Sequence, residues 1–159
     1  MCAAGVAAAE QPGDPKAVKS EDGKYFDTEG YPTYHIEGGK IDFYSYVGYV
    51  RYAANCLQCH GPDGLGSSYA PSLVDSLNRI NYPEFLQIVA AGKQDVTAAQ
   101  NLVMPAFGQN PNVTCYIDAI YVYLRARSTD ALGRERPQQH EPKPAGYTAA
   151  EDKCMGSGS

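Results

Sequence analysis

Two thiols and an imidazole follow one another closely in the first half of the chain, in the segment Cys56-Leu57-Gln58-Cys59-His60. Two thiols separated by two residues can reach the two vinyl groups on one side of a porphyrin, and the next residue can then point its imidazole at the iron. C-x-x-C-H is the signature of covalent c-type haem attachment. The pattern therefore predicts one haem c, bonded to Cys56 and Cys59 and ligated by His60.

A C-x-x-C pair has two other readings. A thioredoxin-like redox pair is expected in a βαβ setting, and the sequence does not predict one here. A zinc site needs further ligands, and no second C-x-x-C follows. The motif alone favours haem attachment but does not exclude a redox pair or a zinc site.

A haem iron in an electron carrier also needs a sixth ligand, and methionine opposite histidine is the cytochrome c solution. Met104 lies in Val103-Met104-Pro105-Ala106-Phe107-Gly108, whereas the other methionines lie near the chain ends. Pro105 stiffens the backbone after Met104 and Gly108 permits a turn. We expect Met104 to face the iron opposite His60. Two alternatives stay open: Met104 as a core residue that fills a gap, and ligation by one of the other histidines, His35 and His140.

Composition limits the function classes. A chain of 159 residues with 43% apolar and 19% charged residues predicts one globular domain. The net charge of −5 argues against nucleic acid, which needs a basic footprint. No apolar run approaches a transmembrane length, so we expect no membrane insertion.

The remaining cysteines bear on the compartment. Cys2 lies in an Ala-rich start, residues 1–9, which looks like the end of a secretory signal or an added leader. Cys115 and Cys154 could form a disulfide, which would suit an oxidising compartment. These features favour a periplasmic location.

Periodicity predicts a mainly helical chain. Helices are expected at about 42–55, 83–91 and 113–127, the last capped by Asn112 or Thr114, and no run of alternating strands is apparent. We expect a Gly- and Pro-rich N-terminal arm at 10–40, a central domain at 41–127, a C-terminal arm at 128–155 that packs on the core, and a tag remnant at 156–159.

These features together resemble the class I c-type cytochromes. The resemblance implies an all-α fold of few helices around one covalent haem, with extended arms at both ends. It implies that a helix before the haem motif crosses one after the methionine, through Gly48 and Tyr52 on the first helix and Ile120 and Tyr123 on the second. It also implies that the carbonyl of Pro71 accepts the proximal histidine N–H, although Pro71 could be a simple turn proline.

A closer resemblance extends over nearly the whole chain from about Gly23. The segments 21–26, 69–73, 103–108 and 115–124, with the terminal Cys154-Met155-Gly156, are similar to the cytochrome c-L type acceptors of PQQ-dependent methanol dehydrogenase, above all the lanthanide-dependent type. This implies a carrier, not an enzyme, that takes electrons one at a time from the dehydrogenase and passes them to a downstream cytochrome c or terminal oxidase. The acidic balance would make docking sensitive to salt.

Other functions remain compatible with the sequence. The donor could be another quinoprotein alcohol dehydrogenase or a respiratory complex. The protein could instead be a structural subunit whose haem only conducts electrons within a larger enzyme. The N-terminal and C-terminal arms would then be its interfaces. An open iron site would make the protein a peroxidase or a ligand sensor, which requires that Met104 be absent or labile.

Overall fold

The computed structural model describes residues 12–97, 99 and 101–156. The predicted leader at 1–9 therefore lies outside the described residues, as do the start of the N-terminal arm and residues 157–159 of the predicted tag remnant. None of the helices in the described part is long and apolar enough to cross a membrane.

The N-terminal arm folds into two small antiparallel sheets. One contains β1 (Lys19–Glu21), β2 (Lys24–Phe26) and β3 (Pro32–Thr33), and the other β4 (Ile36–Glu37) and β5 (Lys40–Ile41). In the first sheet Ser20 pairs with Tyr25, which in turn pairs with Thr33. The arm is therefore hydrogen-bonded structure rather than a simple extended segment.

The rest of the described chain contains seven helices and one further hairpin. The first helices are α1 (Phe43–Asn55), α2 (Leu57–His60), α3 (Leu73–Ser76) and α4 (Tyr82–Ala91). The hairpin of β6 (Lys93–Val96) and β7 (Asn101–Met104) follows. The chain then forms α5 (Pro111–Thr114), α6 (Ile117–Ser128) and α7 (Tyr147–Met155).

The start of α1 is fixed by a buried carboxylate. Asp42 is the N-cap, and its side chain accepts hydrogen bonds from the Ser45 backbone N–H at 2.8 Å, the Ser45 hydroxyl at 2.6 Å and the His35 backbone N–H at 2.8 Å. Burial raises the pKa of Asp42, although these donors oppose the shift. The cap satisfies orphan N–H groups of α1 and ties the helix to the strand region before it.

The core is built where α1 crosses α6. A side chain at Gly48 would collide with the carbonyl oxygen of Ala119 and lie 2.8 Å from Cβ of Tyr123, so only glycine allows this approach. The ring of Tyr52 packs on that of Tyr123, with centroids 5.5 Å apart. Ile120 is buried in the same cluster, and its neighbour Ala119 supplies the backbone that lies closest to Gly48.

The C-terminal arm returns over the core and is held by several contacts, among them backbone hydrogen bonds and a disulfide. Around the start of α1, the backbone N–H of Ile41 donates to Gln139 at 3.1 Å and that of Glu141 donates to Ile41 at 2.8 Å. Further on, the predicted Cys115–Cys154 disulfide is confirmed and joins α7 to the residue that follows α5.

The expectation of an all-α fold is too narrow, because about 39% of the structure is helix and 15% is strand. The strands have two to four residues each, too short to show an alternating pattern in sequence. The third predicted helix is also divided: α5 begins after the cap Asn110, not after Asn112 or Thr114, and α6 begins only after Tyr116.

Replacement of Gly48 by alanine should destabilise the protein strongly. The new methyl group meets backbone on α6, which cannot rotate away, so the two helices must separate, at a cost of about 3 kcal/mol. Urea unfolding of the holoprotein measures this. Gly133→Ala is the matched control, because a Cβ there meets nothing within 4 Å. Equal stability of the two variants would contradict a tight crossing.

Removal of the disulfide should destabilise the fold without affecting the haem region. The bond closes a loop with a sequence separation of 39 residues, for which chain entropy gives about 4 kcal/mol. The double variant Cys115→Ser, Cys154→Ser should therefore unfold at lower urea concentration while its visible spectrum stays unchanged. A variant as stable as the parent would mean that this bond does not hold α7 in solution.

Candidate functional site

The C-x-x-C-H motif consists of Cys56, which ends α1, and the four residues of the short helix α2. The backbone N–H of Cys56 donates to Tyr52 at 2.8 Å and ends α1, and the carbonyl of Cys56 accepts from His60 at 2.9 Å. Cys56 is half-buried, Cys59 is exposed, and neither is in a disulfide. His60 is buried. A short helical turn thus presents two free thiols beside a buried imidazole.

The imidazole of His60 is oriented by one hydrogen bond. Its Nδ1 lies 2.9 Å from the carbonyl oxygen of Pro71. Because a carbonyl can only accept, Nδ1 must carry the proton, and in the neutral ring Nε2 then carries the lone pair. The bond therefore leaves Nε2 free to bind a metal and fixes the orientation of the ring.

Tyr52 links the helix crossing to the motif. Its hydroxyl donates to the carbonyl of Gly61, the residue after His60, at 2.5 Å. Burial raises the pKa of Tyr52 well above its ordinary value, so the hydroxyl stays protonated and remains a donor. The sequence had assigned Tyr52 only a packing role, and this hydrogen bond was not foreseen.

Met104 is the last residue of β7 and lies against the core cluster. Burial alternates along β7: Leu102 and Met104 are half-buried, whereas Val103 is exposed. The main chain at Met104 runs against Gly92, where a Cβ would lie only 2.6 Å from the Met104 carbonyl oxygen. Met104 is therefore at a strand end held by close backbone packing, with the thioether on the half-buried face of β7.

The other two histidines lie at the opposite end of α1. The backbone of His35 donates to Asp42, which caps the start of the helix, and His140 stacks on Tyr46 with centroids 4.0 Å apart. Tyr46 precedes Cys56 by ten residues, or about 15 Å along a helix. This distance argues against His35 or His140 as an iron ligand.

The thiol environment does not suit a redox-active cysteine pair. Burial, with a smaller contribution from nearby Cys59, raises the pKa of the Cys56 thiol to about 11. Thioredoxin-like sites need the opposite shift, because the thiolate is the nucleophile. Within the described residues, no group of three or more His, Cys, Asp or Glu side chains could hold a metal ion, as a zinc site would require.

The donor set fits a covalently attached haem. Two unbonded thiols with the required spacing lie on one turn, and the adjacent imidazole offers Nε2 because its Nδ1 is occupied. The sequence identified these residues by type and spacing. The sequence gave no signal for the hydrogen bonds by which Arg127 holds the loop after His60, because no local pattern shows that this arginine is buried.

Comparison with known proteins agrees with this chemistry. Residues 47–124 match the family model described as cytochrome c oxidase, cbb3-type, subunit III. Cytochrome c-553I of Paracoccus denitrificans is 53% identical over 136 residues, which cover 85% of this chain and 60% of that protein. The match thus spans less than two thirds of the length of that relative.

Two further relatives match most of their own length. Cytochrome c-555 of Methylococcus capsulatus is 31% identical over 102 residues, 62% of this chain and 76% of that protein. The crystal structure of the c-type cytochrome XoxG from Methylobacterium extorquens AM1 superposes with a TM-score of 0.81 at 50% identity, covering 93% of this chain and 94% of that one. The chain therefore belongs to the c-type cytochromes, haem proteins that carry electrons rather than catalyse a reaction of their own.

Proposed function

We propose that this cytochrome is a periplasmic carrier that accepts electrons from a PQQ-dependent methanol dehydrogenase, of the lanthanide-dependent type, and delivers them to a downstream cytochrome c or terminal oxidase. The observation that carries the electron-transfer role is the His60 imidazole oriented by Pro71 beside two free thiols. The choice of donor is supported by the resemblance of four separate segments to cytochrome c-L type acceptors and by the likeness to XoxG along 93% of the chain. The Cys115–Cys154 disulfide supports an oxidising compartment.

In this proposal Cys56 and Cys59 form the thioether bonds, and His60 Nε2 and the Met104 thioether are the axial ligands. Bound haem supplies a one-electron iron couple, and the polypeptide sets its potential and its access to partners. Pro71 strengthens His60 as a ligand, while the packing of the Met104 backbone on Gly92 holds the opposite side.

The surface near these ligands is poor in charge. Residues 96–117 contain no Asp, Glu, Lys or Arg, residues 52–74 contain only Asp63, and the two exposed charged residues of β6, Lys93 and Asp95, are opposite in sign. Among the described residues, the most exposed large apolar side chains include four from these segments: Leu65, Tyr69, Val96 and Val103. The net negative charge lies elsewhere, so docking by this surface would depend on apolar contact and much less on salt than the composition suggested.

The β6–β7 hairpin gives this surface a testable element. Val96 pairs with Asn101 and Gln94 with Val103, so these four side chains share one face, opposite to that of Met104. Val96 and Val103 are 63% and 57% exposed. A dehydrogenase that contacts this outer face would lie close to the strand that carries the proposed ligand.

Replacement of Met104 by alanine should open the iron. The reduced parent should not bind carbon monoxide at neutral pH, whereas reduced Met104→Ala should bind it, and its reduction potential should fall because the thioether favours Fe(II). Absorbance spectra and redox titration measure both effects. Met155→Ala is the matched control, since Met155 is also half-buried against the core.

The alternatives give different results. Carbon monoxide binding by the parent would favour a ligand sensor or peroxidase over a Met-ligated carrier. An unchanged spectrum and potential in Met104→Ala would show that another group is the sixth ligand, and would contradict the assignment.

The donor is tested by mixing oxidised holoprotein with a lanthanide methanol dehydrogenase and methanol. Haem reduction should be fast and saturable and should require both enzyme and methanol. Its rate should change less than about threefold between roughly 0.02 and 0.2 M salt, because the surface near the ligands carries little charge. Val96→Asp should slow the reaction about tenfold by placing a charge in the contact.

Val18→Asp serves as the control for that variant, because Val18 is 57% exposed but lies in the N-terminal arm. Both variants should remain fully reducible by ascorbate. Failure of the parent to accept electrons from the dehydrogenase, with ascorbate reduction intact, would leave a carrier for another quinoprotein or a respiratory complex. Equal slowing by the two variants would contradict docking through the hairpin.

A further inference from the structure

The last turn of α6 contains two arginines that are buried rather than exposed. Arg125 is 6% exposed and Arg127 is 4% exposed. Each donates to backbone carbonyl groups. A buried guanidinium is costly unless its donors are paired, so the groups that they contact are informative.

Arg127 holds the loop that follows His60 by hydrogen bonds to its backbone. Its Nε and Nη2 both donate to the carbonyl oxygen of Asp63 at 3.1 Å, and its Nη1 donates to Leu132 at 2.8 Å. Arg125 instead donates to Leu77 at 3.4 Å and to Gly13, in the N-terminal arm, at 2.6 Å. Of these two arginines, therefore, only Arg127 forms hydrogen bonds with the loop between the haem motif and α3.

The Asp63 side chain also holds this turn, through hydrogen bonds to its carboxylate. Its carboxylate accepts from the Leu65 backbone N–H at 3.3 Å and from Arg134 Nε at 2.5 Å. Burial alone would raise the pKa of Asp63, but the hydrogen bonds from Arg134 and Leu65 and the nearby guanidinium charges outweigh it and lower the pKa. Asp63 is thus held through both its carbonyl and its side chain.

The turn that contains Asp63 packs directly on the segment around Pro71, whose carbonyl orients His60. The Gly66 backbone N–H donates to the His60 carbonyl at 2.8 Å. A Cβ at Gly66 would lie 2.7 Å from the Ser72 nitrogen and 2.9 Å from the Pro71 carbonyl carbon. The carbonyl of Gly64 also accepts from Leu73 at 2.8 Å. The position of this turn therefore fixes the position of the Pro71 carbonyl.

We infer that Arg127 is a positioning residue for His60: by holding the turn at Asp63 it fixes the Pro71 carbonyl, and so the hydrogen bond at His60 Nδ1. This inference rests on the proposed role of His60 as an axial ligand. Loss of the hydrogen bonds from Arg127 would let Pro71 move, weaken the bond to Nδ1 and make His60 a weaker electron donor to the iron. A weaker donor stabilises Fe(III) less, so the reduction potential should rise.

The test compares Arg127→Lys with Arg125→Lys in the holoprotein. Lysine keeps the charge but cannot make the paired bonds of the guanidinium fork. Arg127→Lys should raise the reduction potential and speed deuterium exchange of the His60 Nδ1 proton, followed by NMR in the reduced protein, about tenfold. Arg125→Lys should lower stability while leaving potential and exchange at the parent values.

Each result has one meaning. Equal potentials and exchange rates in the two variants would overturn the positioning role, whatever their stabilities. If Arg127→Lys does not fold, Asp63→Ala takes its place, because it removes the side-chain hydrogen bonds from Leu65 and Arg134 that hold the same turn and should shift both readouts in the same direction. Parent values of the potential and the exchange rate in Asp63→Ala would contradict the view that this turn positions Pro71. Failure to attach haem at Cys56 and Cys59 in the parent would instead contradict the proposed ligand set.

Discussion

The close crossing of α1 and α6 at Gly48 is the constraint on which the rest of the structure depends. Because no side chain separates the two backbones there, the helices approach closely enough for Tyr52 to pack on Tyr123. The end of α1 carries Cys56, and the end of α6 carries Arg127. The contact at Gly48 therefore sets the distance between the haem motif and Arg127, which holds the loop after that motif.

The loop between α2 and α3 has little regular structure, and buried side chains hold its backbone. Tyr52 donates to the carbonyl of Gly61, Arg127 to that of Asp63, and His60 to that of Pro71. Each donor is buried, and each bond satisfies a carbonyl that no helix or sheet would satisfy. The polar core is thus organised around one loop, with its donors on α1, α2 and α6.

The sequence predicted the parts of this site that depend on residue type and spacing. The thiol pair, the adjacent histidine and the three main helical regions all carry local signals. The β6–β7 hairpin did not, because strands of four residues are too short for a reliable period, and α7 was hidden in a polar tail. The burial of Arg127 and the close approach of Ala119 to Gly48 depend on the relative placement of distant segments, which no local pattern reveals.

The buried arginine illustrates how rigidity and exchange of partners can be combined. Desolvation of a guanidinium is unfavourable, and Arg127 offsets it with hydrogen bonds to two backbone carbonyls rather than with a buried carboxylate partner of its own. A site fixed from within needs no support from a docked protein, so its surface can remain free of charge, as residues 96–117 are. Weak, transient contact is then compatible with an unchanging ligand geometry, which is what a carrier that meets successive partners requires.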